Sequence, residues 1–140
     1  MKREEIKSFL PHREPMLLLD ESALIDNGEK AIGIYNVRGN EWFLQGHYPD
    51  NPVVPGVILC EIMAQSCFIL LKDNISGKTP YFTGIDKVRF KNMVFPGDSI
   101  TVESYVTRQK GNFYFAHCCA AVNGKISAEG DLSFVLVEGK

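Results

Sequence analysis

The sequence predicts an α+β fold in which one curved antiparallel sheet wraps a single long buried helix, and three observations carry that reading. Residues 57–71 run fifteen positions without Pro or Gly and include the good helix formers Leu59, Met63, Ala64, Leu70 and Leu71. Their apolar side chains, among them Val57, Ile58, Ile62, Met63, Phe68 and Ile69, spread around the helical axis, so this helix needs cover on nearly every side. Beyond Pro80 the chain changes to strand-like patterning, broken by short turn signals that let successive strands pair. With 140 residues, 45% hydrophobic and 23% charged, and with no linker, repeat or low-complexity stretch, residues 1–140 are expected to form one domain around one core.

Taken in order, residues 4–10 predict a short helix or turn, stopped by Pro11. Residues 16–19 supply a compact apolar strand signal ending at Asp20, and Asp26-Asn27-Gly28 marks a turn. Residues 31–37 resume the strand pattern, so 16–37 reads as a hairpin whose second arm is bent or closely approached at Gly33. Residues 40–44 contribute one helical turn, after which the prolines at 49, 52 and 55 deny the chain a regular helix or central strand and leave a restrained loop. A helix over 56–72 follows, about 25 Å long at 1.5 Å per residue. Its small residues Cys60, Ala64 and Cys67 recur at four and three positions and mark a face of close approach. Strands are expected near 81–90, 99–109, 112–122 and 126–137, separated by Pro96-Gly97-Asp98, Lys110-Gly111-Asn112 and Asn123-Gly124-Lys125. The last of these is the strongest two-residue hairpin signal, and the last three strands should form a meander.

Charge and composition narrow the function classes. A net charge of -2 argues against a general nucleic-acid binder while leaving room for a local basic patch toward an acidic partner. The longest apolar stretch is shorter than the roughly 18 to 20 residues of a membrane span, and no integral membrane association is expected. The N-terminus begins Met1-Lys2-Arg3-Glu4-Glu5 without an apolar secretory segment, so a cytoplasmic protein is expected. Four cysteines at 60, 67, 118 and 119 sit inside apolar segments rather than in a CxxC pattern and read as buried thiols. His12, His47 and His117 are widely separated, with no HExxH pattern, so no metal site is expected. A Gly-rich phosphate cradle and a GxSxG elbow are also absent, and Ser66 reads as structural.

The residues that carry chemistry cluster where the proline-rich loop meets the helix. His47 lies in that loop, where restraint lowers the entropy cost of holding an imidazole that can accept a proton near neutral pH. Glu61 interrupts an otherwise apolar helix, a costly position for a carboxylate unless it is paired or serves as a neutral acid. Gln65, four positions on, shares its face and is a candidate to orient it. Gly56 opens the helix, where a backbone N–H free of intrahelical bonds can donate to a carbonyl oxygen. A histidine, a carboxylic acid and a helix N-terminus are groups suited to adding or removing water beside a carbonyl.

These residues resemble the beta-hydroxyacyl-acyl-carrier-protein dehydratases of the hot-dog fold, specifically the FabZ family. The likeness runs through Leu10-Pro11-His12-Arg13-Glu14-Pro15, Gly46-His47-Tyr48-Pro49, Pro52, Pro55-Gly56-Val57, Glu61 and Ala64-Gln65. It continues through Phe82-Thr83-Gly84-Ile85-Asp86, Arg89-Phe90-Lys91 and Pro96-Gly97-Asp98, in the same order over nearly the whole chain. The resemblance implies a homodimer joined edge to edge, commonly three such dimers in a hexamer, with active tunnels at the dimer interface. It implies that His47 from one protomer and Glu61 from the other are catalytic, and that the Gly56 N–H binds the thioester carbonyl. The implied substrate is a (3R)-hydroxyacyl chain on the phosphopantetheine arm of acyl carrier protein, dehydrated to a trans-2-enoyl thioester without metal or redox cofactor. Arg89, Lys91, Arg108 and Lys110 are candidate contacts for that acidic carrier.

Two positions depart from the family pattern: Asp50 where many relatives place glycine, and Asn92 where a basic residue is common. The alternatives within reach are a dehydratase that also isomerises its product to the cis-3-enoyl thioester, a hot-dog thioesterase, and a noncatalytic acyl-carrier-binding protein. Glu61 favours the FabZ type over the FabA type, which generally places aspartate there.

Overall fold

The computed structural model describes residues 1–48 and 50–138; Pro49, one of the loop-restraining prolines, lies outside the described residues. A short helix α1 (Arg3–Ile6) precedes a hairpin of β1 (Glu21–Ile25) and β2 (Lys30–Asn36). The central helix α2 (Gly56–Cys67) follows, prolonged by a 3-10 turn over Phe68–Leu71, and then four long strands: β3 (Lys78–Phe90), β4 (Ser99–Lys110), β5 (Phe113–Val122) and β6 (Lys125–Glu138). The six strands form one sheet in the order β1-β2-β4-β5-β6-β3, antiparallel at every pairing. The expected meander is β4-β5-β6, and β3 crosses over to close its far side. Asn123 and Gly124 both take positive φ, 51° and 78°, which is the backbone a two-residue turn needs to follow the twist of β5 and β6.

The hairpin boundary differs from the sequence expectation. Residues 17–19 are buried but belong to no strand. Their apolar character is genuine, yet the backbone there is bonded to a helix side chain rather than to a neighbouring strand: Leu18 N–H donates to Gln65 Oε1 at 2.8 Å. The first arm therefore begins at Glu21. The turn expected over 40–44 is present as overlapping i to i+3 bonds, Leu44 N–H to Glu41 O and Gln45 N–H to Trp42 O, and does not lengthen into an α-helix.

Why the helix can sit against the sheet is visible in side-chain size. Nine of the twelve α2 residues are buried, and the strands meet them with alternating inward residues, including Ala116, Cys118, Ala120, Ala128, Leu132 and Phe134. Gly33 is a point of close approach rather than a bend, because β2 keeps unbroken register with both neighbours. A Cβ there would stand 2.3 Å from Ser66 Oγ and 2.6 Å from Ser66 Cβ. Ser66 Oγ is in turn satisfied by donating to Ile62 O at 2.7 Å. One turn-face away, the free thiols of Cys67 and Cys118 meet across the helix–sheet contact at 2.9 Å, and that contact, together with burial, holds Cys118 well above the ordinary thiol range. No helix among the described residues is long and apolar enough to cross a membrane.

The segment joining α1 to β1 is pinned by cations. Arg13 donates to the carbonyls of Leu10, His12 and Lys7, and Asp20 receives Arg3 at 3.0 Å and Arg38 at 2.6 Å. Burial opposes ionisation of Asp20, but the bonds from Arg38, Asn36 N–H and Arg3 outweigh it and hold the carboxyl below its ordinary value. This loop is consequently a fixed wall alongside α2.

Candidate active site

The loop leading to α2 places His47 by a chain of turns. His47 N–H donates to Leu44 O, Asn51 N–H to Tyr48 O, and Gly46 and Tyr48 adopt positive φ of 80° and 53°. The imidazole Nδ1 lies 2.9 Å from Val53 O. A carbonyl oxygen only accepts, so Nδ1 carries the proton and Nε2 presents a free lone pair. The Tyr48 ring packs on the imidazole with centroids 4.3 Å apart, and Val54 N–H donates to Val94 O at 2.9 Å, tying the loop to the chain beyond β3.

Pro55 then caps the helix without a side-chain bond; its carbonyl accepts from Ile58 and Leu59 N–H. The N–H groups of Gly56 and Val57, at the first two helical positions, have no intrahelical acceptor and sit at the positive end of the helix dipole. Gly56 also answers a steric requirement: a Cβ there would stand 3.0 Å from two atoms of the Phe90 ring. His47, Gly56, Val57, Phe90, Lys91 and Met93 are among the residues lining one cleft of about 650 Å³. Its walls are mostly apolar, which suits an acyl chain beside a single polar corner.

Glu61 does not line this cleft. Five residues along a helix is a rotation of about 140° and a rise of about 7.5 Å, which turns Glu61 away from the face that presents the Gly56 N–H. It is partly buried beside the loop before β1, where Gln65 Nε2 donates to Glu61 Oε2 at 2.8 Å. Gln65 is itself fully buried and locked: its Nε2 also donates to Met16 O at 2.7 Å, and its Oε1 accepts from Leu18 N–H. The i to i+4 spacing anticipated the Glu61–Gln65 bond; the two backbone partners that fix it were not legible from spacing.

His12 is the residue near the site whose position sequence reasoning missed. Its Nε2 stands 3.6 Å from Glu61 Oε2, and its ring stacks on Phe68 at 6.0 Å and 25°. The signal was present in Pro11-His12-Arg13-Glu14-Pro15, where prolines on both sides restrain a histidine, as the prolines following His47 restrain that one. His117, by contrast, lies elsewhere, bonded to Asp131 at 2.8 Å and Glu129 at 2.9 Å between β5 and β6.

The four basic candidates separate in space. Lys91 lines the cleft and reaches Glu129 at 3.5 Å. Arg89 is exposed on β3, opposite Glu129 in register. Arg108 lies over the Phe115 ring at 5.4 Å, and Lys110 ends β4 at the turn into β5. Register carries Phe90 across to Ala128, Ala120 and Val102, so Arg108 stands six residues, about 20 Å, along β4 from the cleft's level. Within one chain only Lys91 joins His47 and Gly56. Of the two departures from the family pattern, Asn92 lines the cleft and donates through Nδ2 to Ile126 O at 2.6 Å, while Asp50 is exposed in the loop.

This arrangement of fold, loop and helix has close relatives. The model of the FabA-like domain matches residues 10–131. The chain is 49% identical to a 3-hydroxyacyl-[acyl-carrier-protein] dehydratase FabZ of Caldicellulosiruptor saccharolyticus, over 94% of this chain and 95% of that one. A protein of the same name from Caldicellulosiruptor bescii is 46% identical over 95% of this chain and 96% of its own length. Among solved structures, the dehydratase heterocomplex ApeI:P of Xenorhabdus doucetiae superposes with a TM-score of 0.79, covering 93% of this chain and 89% of that chain, at 18% identity. That last likeness is one of fold, the curved sheet around a central helix called the hot-dog fold. The two full-length relatives and the matched domain settle the kinship: the chain belongs to the FabA-like domain family, as a FabZ-type member.

Proposed function

We propose that this chain is a (3R)-hydroxyacyl-[acyl-carrier-protein] dehydratase of fatty acid biosynthesis, a cytoplasmic hydro-lyase acting on an acyl chain held by the phosphopantetheine arm of its carrier. The observation that carries the reading is the pairing, in one apolar cleft, of a histidine whose Nδ1 is committed to Val53 O with the open N-terminus of a buried helix. His47 Nε2 takes the proton from C2, and the electron pair forms the C2–C3 double bond as the C3–oxygen bond breaks. Glu61 gives its proton to the departing hydroxyl, and water leaves. The Gly56 N–H donates to the thioester oxygen, where negative charge grows as the C2 proton is lost. The step is two proton transfers and one C–O cleavage with no net change of oxidation state, so it calls on no redox cofactor.

A single chain holds these groups on two sides of α2, and the proposed remedy is a second copy. The strand β3 lies at the sheet edge, thirteen residues long, with Tyr81, Ile85 and Phe90 exposed. Beside it, Val57 is 76% exposed and Met93 67% exposed at the cleft mouth. A long edge strand rimmed by apolar side chains favours pairing with its own kind. Homodimers joined along β3 would let the His47 cleft of one protomer meet Glu61 of its partner, with a trimer of dimers as the higher assembly. Lys91 at the cleft is the first basic candidate to meet the acidic carrier, and Arg89, Arg108 and Lys110 are tested beside it by charge reversal. An unchanged carrier-substrate KM and salt dependence would remove any one of them.

The test is turnover of (3R)-hydroxyacyl carrier substrates of short and long chain, read by the absorbance of the conjugated enoyl product. His47→Ala and Glu61→Gln are each expected to lose about a hundredfold or more in kcat while remaining folded. An assembled wild-type protein that turns over none of the substrates would contradict the assignment. Product analysis on a ten-carbon substrate separates dehydration alone from isomerisation, since a cis-3 product reports the latter.

A further inference from the structure

His12 takes no part in the chemistry above, yet it is packed against the proposed acid. Its Nε2 is 3.6 Å from Glu61 Oε2, its ring lies on Phe68, and Arg13 bonds the His12 carbonyl and those of Leu10 and Lys7 before it. The other ring nitrogen, Nδ1, is buried and has no hydrogen-bond partner among the described residues. Burial holds His12 below the ordinary imidazole range, against the opposing pull of Glu61 and with a smaller push from Arg13. The ring is therefore neutral near pH 7 and carries one proton. Of its two nitrogens only Nε2 has an oxygen nearby, so the proton sits there and points at the carboxyl group.

We propose that His12 is a positioning residue for Glu61, its Nε2–H and the Gln65 amide together holding Oε2 so that Oε1 is the oxygen that delivers the proton. This rests on the reading of Glu61 as the acid. Gln65 is already at bonding distance, 2.8 Å, while His12 is at 3.6 Å. As Glu61 gives up its proton, negative charge grows on the carboxylate and the His12 N–H closes from 3.6 Å to bonding distance. An interaction that strengthens in the transition state raises kcat and leaves ground-state binding alone. A hydrogen bond to a charged group contributes enough to alter a rate by about ten- to a hundredfold. The other titratable group against Glu61 is the Cys60 thiol on the same helix, which burial and Glu61 itself hold above its ordinary value, so it stays protonated and brings no charge.

His12→Phe keeps a ring on Phe68 and removes the donor; His12→Gln returns an N–H near the position of Nε2. The expected result is a ten- to hundredfold fall in kcat for His12→Phe with KM unchanged, and recovery of most of it by His12→Gln. In a Glu61→Gln background His12→Phe should cost nothing further. Wild-type kcat in His12→Phe overturns the proposal, as does an equal loss in both His12 variants or a fully additive effect in the double variant. Wild-type and Glu61→Gln assays run alongside separate the two levels. If wild type is active and Glu61→Gln is not, a null result at His12 removes only this inference; if Glu61→Gln is fully active, the acid role falls and His12 with it.

Discussion

Replacing Gln65 with leucine tests the join between fold and site. The side chain is fully buried and makes three bonds, accepting from Leu18 N–H at 2.8 Å and donating to Met16 O at 2.7 Å and Glu61 Oε2 at 2.8 Å. Leucine fills much the same volume but satisfies none of them. The stranded Leu18 N–H lies in the core, where an unsatisfied donor costs about 1–3 kcal/mol. The Met16 carbonyl belongs to an exposed residue and recovers part of its bonding from water, so roughly 0.5–1 kcal/mol is fair there. Together the loss is about 1.5–4 kcal/mol, less whatever the added apolar burial returns. With a urea slope of about 2 kcal/mol per molar, the unfolding midpoint should drop by roughly 1–2 M at fixed protein concentration. Glu61 simultaneously loses the amide that holds Oε2, so kcat should fall about tenfold or more even where the variant is fully folded. An unchanged midpoint would refute the bonding argument. A shifted midpoint with unchanged turnover would refute the orienting role and leave Gln65 a purely structural residue.

Two further predictions probe other parts of the fold. Gly33→Ala forces a Cβ to within 2.3 Å of Ser66 Oγ and should destabilise the protein by about 1–3 kcal/mol; Ser66→Gly in the same chain should return part of that loss, and a neutral single variant would show that β2 and α2 separate easily. His117 is held above the ordinary imidazole range, chiefly by its bond to Asp131 against the opposing effect of burial, and further by Glu129. A raised folded value means that its contribution is complete below about pH 6.5 and is lost as pH climbs through the folded value. The urea midpoint of the wild type should therefore decline as pH rises above about 6.5, and His117→Gln should flatten that decline; equal slopes in both proteins would remove His117 as its source.

Much of this structure was legible from residue order because local signals and the fold agree. The Pro- and Gly-free run over 57–71, apolar on all sides, read as a buried helix and is one, with its last four residues in a 3-10 turn, and Asn123-Gly124 read as a tight hairpin. Residues 16–19 misled because apolar content reports burial, not strand pairing, and the partner that claims their backbone is a glutamine 47 and 49 positions away. The same distance hid His12: nothing in linear spacing brings position 12 against position 61. His47, Glu61 and Gly56 stood out as polar or permissive residues in settings where such types are costly. The separation of Gly56 from Glu61 around α2 follows from helix geometry, since five residues do not return to the same face.

The central claim is that dehydration occurs at a site made from two copies of the chain, with His47 and Glu61 drawn from different protomers. The direct measurement mixes the His47→Ala and Glu61→Gln proteins, each expected to be inactive on its own, allows subunits to exchange, and follows enoyl formation from a (3R)-hydroxyacyl carrier substrate. Random pairing puts one of each chain in half the dimers, and each of those regains one intact site of two, so activity should rise to about a quarter of wild type. Exchange confirmed by native mass spectrometry, with turnover no higher than that of the separate variants, would contradict it.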